Sequence, residues 1–400
     1  MKNRVLKFGG SSVATVEKIQ ALALKIKKRH DLGDKLVIVV SAMGKSTNGL
    51  IDLAHQISDN PKKRELDMLL STGEQVSVSL MTMALDALGI EAIGLTGAQA
   101  GILTHGLHTK NKIDSIDPKR VVEHLDKNRI VVVAGFQGIN EEGDITTLGR
   151  GGSDTTAVAL GAAIGCDVEI YTDVSGIYGI DPRLYPQAKQ LLEISYDEMK
   201  EMAFLGAKVM EPRSIEIGQR YGVNIYVASA HTDTVGTWIK EKSNMEQKSV
   251  TGVTVIDDVV LVNVEAKSNK GLVSAHLFKR LAESEINVDV ITQSVSADQT
   301  LNIAFTISKV DQYSVESLLN TLKDDDNQVV YSLDTDNVKV SIVGEGMRSQ
   351  SGVAAKVFDL FLNEGIDFKL VSTSEISISY TMSKTFKEKA MVSLASSFQL

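Results

Sequence analysis

The chain has 400 residues, 43% of them hydrophobic, only 5 prolines and a formal net charge of −9, which suits roughly two or three domains with real cores. The acidic balance, with no local basic patch, argues against nucleic acid or an anionic membrane surface as a partner. A single cysteine, Cys166, excludes an internal disulfide framework and a cysteine-rich metal site, and points to a reducing, cytoplasmic setting.

The N-terminus reaches Gly9-Gly10 before any apolar stretch that a signal peptide would need. Apolar runs such as Ile130 to Phe136 fall far short of the ~18 residues of a membrane span. Up to about residue 240, short β-rich runs alternate with longer helical patterns, the signature of a mostly parallel sheet covered by helices. Strands are predicted at 5–8, 36–41, 92–96, 130–134, 169–172 and 224–227. Helices are predicted at 15–30, 48–58, 65–88, 117–127, 154–165, 196–204 and 212–221. Arg183 to Gln187, around two prolines, reads as loop.

A polar stretch, Lys240 to Lys248, then interrupts the apolar rhythm as a linker. Beyond it the chain repeats itself. Ala275, Phe278, Ile286 and Ser294 recur as Ala355, Phe358, Ile366 and Ser374, an offset of 358 − 278 = 80. Each copy has the order strand, helix, strand, strand, helix, strand, and the solvated run Asp324-Asp325-Asp326 separates them. Leu277/Leu281 and Val357/Phe361 mark the apolar face of a helix in each copy. The alternation Ile376-Ser377-Ile378-Ser379-Tyr380 predicts a strand with one wet face unless a partner covers it. With no reactive side chains clustered beside a glycine loop, this half suits binding or regulation.

Three glycine loops in the first half could carry chemistry. In Lys7-Phe8-Gly9-Gly10-Ser11-Ser12 a strand ends in residues without Cβ, so backbone N–H groups can approach an anion beside the Lys7 charge; a plain strand-ending turn has the same spacing. Gly149-Arg150-Gly151-Gly152-Ser153-Asp154 runs into an apolar helix whose N-terminus favours a carboxylate or phosphate, with Arg150 as a bidentate fork; Ser153 or Asp154 as a simple N-cap is compatible with this. Thr172-Asp173 through Arg183 follows a strand, where open α/β sheets hold ligands, and could equally be a polar surface loop. Ser71-Thr72-Gly73-Glu74 has capping-box spacing, and Lys208 follows Gly206-Ala207 as a further cation or an ordinary surface lysine.

Several reactions are excluded. Gly44-Lys45-Ser46-Thr47 resembles the end of a P-loop, but Val39 stands where that motif needs glycine. The dinucleotide pattern fails at Asp154 after Gly149-Arg150-Gly151 and at Ser349 after Gly344-Glu345-Gly346. No G-x-S-x-G elbow occurs, and His105 with His108 reads as loop rather than a metal site, for want of a third ligand. Cys166 reads as a small core residue.

Taken in order, the Lys7 to Ser12, Gly149 to Asp154 and Tyr171 to Tyr178 motifs, then Gly206-Ala207-Lys208-Val209-Met210, the two repeats and Val371-Ser372-Thr373-Ser374-Glu375-Ile376, resemble an aspartate kinase of the amino acid kinase family over nearly the whole chain. The resemblance implies an open, mostly parallel α/β sheet covered by helices over residues 1–240 and a linker at 241–256. Two tandem ferredoxin-like α+β ACT repeats then follow at 257–330 and 331–400. It implies phosphoryl transfer from ATP, with Mg²⁺ held largely by the phosphates and no protein metal ligand, to the side chain of L-aspartate. The product, 4-phospho-L-aspartate, opens lysine, threonine and methionine biosynthesis. Catalytic roles fall on Lys7, Glu74 and Lys208, and the nucleotide on Lys7, Phe8, Gly9, Gly10, Ser11, Thr172, Asp173, Tyr178, Asp181, Arg183 and Lys208. The amino acid falls on Ser41, Thr47, Glu74, Arg150, Gly151, Gly152, Ser153 and Asp154.

Lysine, alone or with threonine, is the inhibitor the resemblance implies. It would act at Gln293, Met347, Ser351, Gly352, Val353, Thr373, Ser374 and Glu375 in a homodimer joined through the repeats, or in an assembly with a separate ACT-only subunit started at Met245. The first repeat departs from the family at Ser268-Asn269-Lys270-Gly271, where relatives often place proline before glycine, and Glu211 stands where they often carry histidine. Two alternatives stay open: a kinase of another small acid such as glutamate, and an inactive kinase fold serving as an amino-acid-binding regulator.

Overall fold

A computed structural model describes residues 2–241, 248–267, 270–325 and 328–400; Met245, Ser268 and Asn269 lie outside the described residues. In chain order the first part contains β1 (Asn3–Phe8), α1 (Val16–Asp31), β2 (Lys35–Val40), α2 (Ser46–Ile57), α3 (Lys63–Asp86), β3 (Ala92–Leu95), β4 (Ile102–His105), β5 (Lys112–Ile116), α4 (Lys119–Asp126) and β6 (Ile130–Ala134). It continues with β7 (Gln137–Ile139), β8 (Ile145–Thr147), α5 (Gly152–Ile164), β9 (Val168–Thr172), β10 (Glu193–Ile194), α6 (Tyr196–Phe204), α7 (Pro212–Tyr221), β11 (Ile225–Ser229) and β12 (Thr237–Ile239). Every strand and helix predicted in this part is present, with ends shifted by a residue or two.

The main sheet is eight-stranded, in the order β10-β12-β11-β9-β1-β2-β6-β3, parallel except between β11 and β12. Leu36 to Val40 and Ile130 to Ala134 are buried at every position, as parallel strands covered on both faces must be. One face packs Leu6, Phe8, Ile38 and Val132 against Ile19, Leu22 and Ile26 of α1 and Val78, Met81 and Leu85 of α3. Strand order runs outward in both directions from β1, which pairs with β2 on one side and β9 on the other. That switch point opens a crevice at the strands' carboxyl ends, where Lys7, Ser41 and Thr172 stand. A second, four-stranded sheet, β5-β4-β7-β8, has no counterpart in the sequence reading; its strands are three to five residues long and too short to show a period.

The second part contains β13 (Gly252–Ala266), α8 (Lys270–Glu283), β14 (Ile291–Val295), β15 (Leu301–Ser308), α9 (Gln312–Asp325), β16 (Val329–Val343), α10 (Val353–Glu364), β17 (Leu370–Thr373), β18 (Ser377–Ser383) and α11 (Lys387–Phe398). They form one six-stranded sheet, β14-β15-β13-β16-β18-β17. The repeats are nested rather than laid end to end. The first half of β13, Gly252 to Ile256, pairs with Lys339 to Val343 of β16, whereas its second half, Val259 to Ala266, lies between β15 and Val329 to Asn337. The second repeat therefore ends on α11, and its remaining strand is the stretch Gly252 to Ile256, inside the segment read as linker. The exposed Asp257-Asp258 pair, with Asp258 at φ 57°, breaks the apolar rhythm as a domain boundary would, yet it marks only a bulge in a continuous strand.

Each repeat keeps its own core, Leu277, Leu281, Phe305 and Leu319 in the first and Val340, Val357, Phe361 and Tyr380 in the second. β18, expected to keep one wet face, is buried at Ser377 through Met382, and Ser379 Oγ lies 2.7 Å from Ser341 Oγ across the sheet. The chain divides into two compact units, and Gly179–Ala188 belongs to the second although its neighbours in sequence belong to the first. Ile180, 1% exposed, joins the core of Val250, Val253 and Leu400, and the Gly179 carbonyl accepts the Val253 N–H at 2.7 Å. No helix of the described residues is long and apolar enough to cross a membrane.

Candidate active site

A cleft of about 270 Å³ lies in the first unit, lined by Lys7, Gly10, Ser41, Thr47, Glu74, Phe136 and the loop Gly149 to Asp154. The structure thus brings together all eight residues expected to hold the amino acid, and two of those expected on the phosphates.

Lys7 reaches it from the end of β1, 9% exposed, and its Nζ stands 2.6 Å from Asp154 Oδ1 in the first turn of α5. Asp154 is therefore an ion-pair partner, not a cap: α5 is capped by Gly151, with no side-chain cap bond. Gly151 has φ 64°, and a Cβ there would come within 2.4 Å of Glu211 Cβ, so the turn into α5 requires glycine. Burial pushes the Glu211 carboxyl up; Arg213 and Arg150 oppose this, and Asp154 adds to it.

Glu74 arrives from α3. The helix runs unbroken from Lys63, so Ser71 to Glu74 is mid-helix and no capping box forms. Gly73, one residue earlier, lets α3 close on the β2–α2 loop: a Cβ at that position would stand 2.9 Å from Ala42 Cβ. Glu74 is 3% exposed; its Oε1 accepts the Ala42 N–H at 3.0 Å, while buried Oε2 has no hydrogen-bond partner among the described residues. Burial pushes its carboxyl up to about 7, against the pull of the Ala42 N–H. A half-satisfied carboxylate facing an exposed arginine, Arg150, across one cleft can hold a group with both a cationic and an anionic end.

Of the residues expected on the nucleotide, Lys7 and Gly10 line this cleft. Phe8 is buried and its ring stacks on Tyr171 at 5.2 Å, so its side chain is core. Gly9 donates its N–H to the Tyr171 carbonyl at 3.3 Å, and Ser11 is exposed beside it. Thr172 ends β9 and donates its hydroxyl to Asp173 Oδ1 at 3.0 Å, and Tyr178 bridges to Gln190. Asp181 and Arg183 lie in the segment that packs with the second unit, where Arg183 Nη2 pairs with Asp181 Oδ2 at 2.7 Å and holds that carboxyl below its usual range. Lys208 is exposed between α6 and α7.

In the second unit, Met347, Ser351, Gly352 and Val353 gather at the N-terminus of α10. Thr373 ends β17, Ser374 Oγ accepts the Ile376 and Ser377 N–H groups, and Glu375 pairs with Arg348 at 3.2 Å. Gln293 sits apart on β14, accepting from Ser274.

Sequence reasoning missed Asp67 and Arg213, and left His108 as loop. Asp67 precedes Glu74 by seven residues, two turns of one helix, and is fully buried. A charge on the apolar stripe of a helix was the available signal.

The sequence profile described as the amino acid kinase family matches residues 2–229, and the profile described as the ACT domain matches residues 340–398. The aspartokinase of Bacillus sp. (strain MGA3) is 46% identical over 99% of this chain and 97% of its own length. The aspartate kinase of Pseudomonas putida is 44% identical over 99% and 97%. Among solved structures, E. coli aspartokinase III in complex with aspartate and ADP superposes with a TM-score of 0.82 at 23% identity, covering 99% of this chain and 100% of that one. The aspartate kinase from Synechocystis superposes at 0.56 with 39% identity, covering 100% of this chain and 69% of that one.

Proposed function

The chain belongs to the aspartate kinase branch of the amino acid kinase family, and from that premise we propose that its cleft transfers the γ-phosphoryl group of ATP to the side-chain carboxylate of L-aspartate. A new bond joins the aspartate carboxylate oxygen to the γ-phosphorus while the bond from that phosphorus to the β–γ bridging oxygen breaks, giving 4-phospho-L-aspartate and ADP. The nucleophile is already ionised at neutral pH, so no general base is required; the protein must align two anions and offset their repulsion. The observation that carries this reading is the convergence of Lys7, Glu74 and Arg150 on one cleft at the sheet's switch point.

Arg150 takes the α-carboxylate and Glu74 the ammonium, with Ser41, Thr47 and Ser153 completing the polar lining. Lys7, held by Asp154, aims its charge where the phosphoryl group passes, with Gly9, Gly10 and Ser11 beside it and Lys208 as a second cation. The nucleotide follows Thr172, Asp173 and Tyr178 along the end of β9; with Asp181 and Arg183 folded into the other unit, their part in binding rests on the resemblance alone. Mg²⁺, which the resemblance implies is held largely by the phosphates, would supply charge neutralisation there. Lysine, alone or with threonine, acts at the N-terminus of α10 in a homodimer joined through the ACT repeats.

Hydroxylamine trapping of acyl phosphate tests the reading: Mg-ATP with L-aspartate should give hydroxamate, L-glutamate should not, and lysine should lower the yield. No hydroxamate with either acid, together with saturable lysine binding, would sink it in favour of a regulatory binder.

A further inference from the structure

Arg150 and Glu74 come from different elements, and a clamp with one jaw on a glycine loop is only as accurate as the loop's anchoring. The loop is anchored by a carboxylate two turns away on the helix that carries the other jaw. Asp67, 0% exposed on α3, accepts the Thr147 hydroxyl at 2.5 Å on Oδ1 and the Thr109 N–H at 3.0 and 3.1 Å on its two oxygens. His108 Nδ1 stands 2.7 Å from Oδ2. Thr147 closes β8 three residues before Arg150, and its carbonyl accepts the Asn111 N–H at 3.0 Å. The next residue is held from the other side: the Leu148 carbonyl accepts Arg213 Nη2–H at 2.7 Å, and its N–H donates to the Phe136 carbonyl at 2.9 Å.

We propose that Asp67 is a positioning residue for the amino-acid substrate, tying the Arg150 loop to the helix that bears Glu74 so that the two jaws keep a fixed separation. This rests on the assignment of Arg150 and Glu74 to the amino acid. Asp67 touches neither substrate nor the reacting atoms and lies outside the cleft lining. A buried hydrogen-bond network of merely structural importance would change stability and both substrates alike; an anchor for one jaw changes one substrate.

The test is steady-state kinetics with each substrate varied, on the full chain, for Asp67→Asn, Thr147→Val and Thr147→Ser. Asp67→Asn keeps the shape but loses the charge and one acceptor; Thr147→Val removes the hydroxyl that Asp67 accepts, and Thr147→Ser restores it. The expected result is an aspartate KM raised at least fivefold in Asp67→Asn and threefold in Thr147→Val. The ATP KM should stay within twofold in both, and Thr147→Ser should resemble the parent. An aspartate KM within twofold of the parent in folded Asp67→Asn or Thr147→Val, or an ATP KM that rises in parallel, would overturn the proposal. Should Asp67→Asn not fold, the two Thr147 variants decide it. Aspartate-dependent hydroxamate from the parent is measured first: its absence removes the underlying reading, whereas its presence with unmoved KM values removes the positioning role alone.

Discussion

Glu74 sets a pH dependence. Burial raises its carboxyl from the ordinary carboxylate range to about 7, so between those values the folded protein holds a proton there that the unfolded chain has released. Stability from this group is complete below the unfolded value and is lost as pH rises to about 7; the change is about 3 kcal/mol. Glu74→Gln should therefore raise the melting temperature at pH 8 while changing it little at pH 4.5, as thermal denaturation at the two pH values will show. Binding an ammonium group requires the ionised form, so the aspartate KM should climb as pH falls below about 7 in the parent and be flat in Glu74→Gln.

Arg150 and Lys7 should separate kinetically. Arg150→Ala removes a charge-assisted bond worth ~1.5–3 kcal/mol, raising the aspartate KM about tenfold to a hundredfold with little change in turnover. Lys7→Ala should cost about 10²–10³ in kcat, since its charge matters most as the phosphoryl group moves; equal effects on kcat and KM in both variants would refute the division of labour. Lys7 and Arg150 were legible in the sequence because glycine loops next to strands announce themselves. Asp67 and Arg213 were not, because each acts on a segment distant in sequence: 147 − 67 = 80 residues for Asp67 to the Thr147 hydroxyl, and 213 − 148 = 65 for Arg213 to the Leu148 carbonyl.

At the scale of elements, α3 is the bar of the site: Asp67 and Glu74 stand two turns apart on it, and Gly73 sets its approach to Ala42. Gly73→Ala would gain up to ~1 kcal/mol of helix propensity in isolation, yet the added methyl displaces Ala42, whose N–H satisfies Glu74. The expected outcome is a lower melting temperature and a raised aspartate KM together; a rise in melting temperature with normal kinetics would show that the loop yields freely. The helices and main strands follow from period and caps, because those signals are local. Thr15 accepting the Lys18 N–H and Gly222 in the left-handed region after Tyr221 bound α1 and α7 where the sequence puts them. The four-stranded sheet and β10 carry too few residues for any period to register.

For the whole molecule, the excursion of Gly179–Ala188 is the feature with most consequence. Ile180→Ala should destabilise the second unit by about 2–4 kcal/mol although the residue lies within the stretch matched by the kinase profile. Protease protection of the second unit should drop first; loss confined to the first unit would contradict the packing. Composition, hydrophobic period, capping residues and the 80-residue repeat offset determined by themselves the α/β unit, the pair of α+β repeats and the glycine loops of the site. Each of these is written within one element or one repeat. Only the tertiary structure decided that the repeats are nested, that β13 and β16 run through both, that Asp181 and Arg183 pack with the second unit, and that Asp67 holds the Arg150 loop. Those depend on which buried surfaces and unpaired polar groups meet after the chain has closed, and no local pattern encodes the identity of a partner tens of residues away.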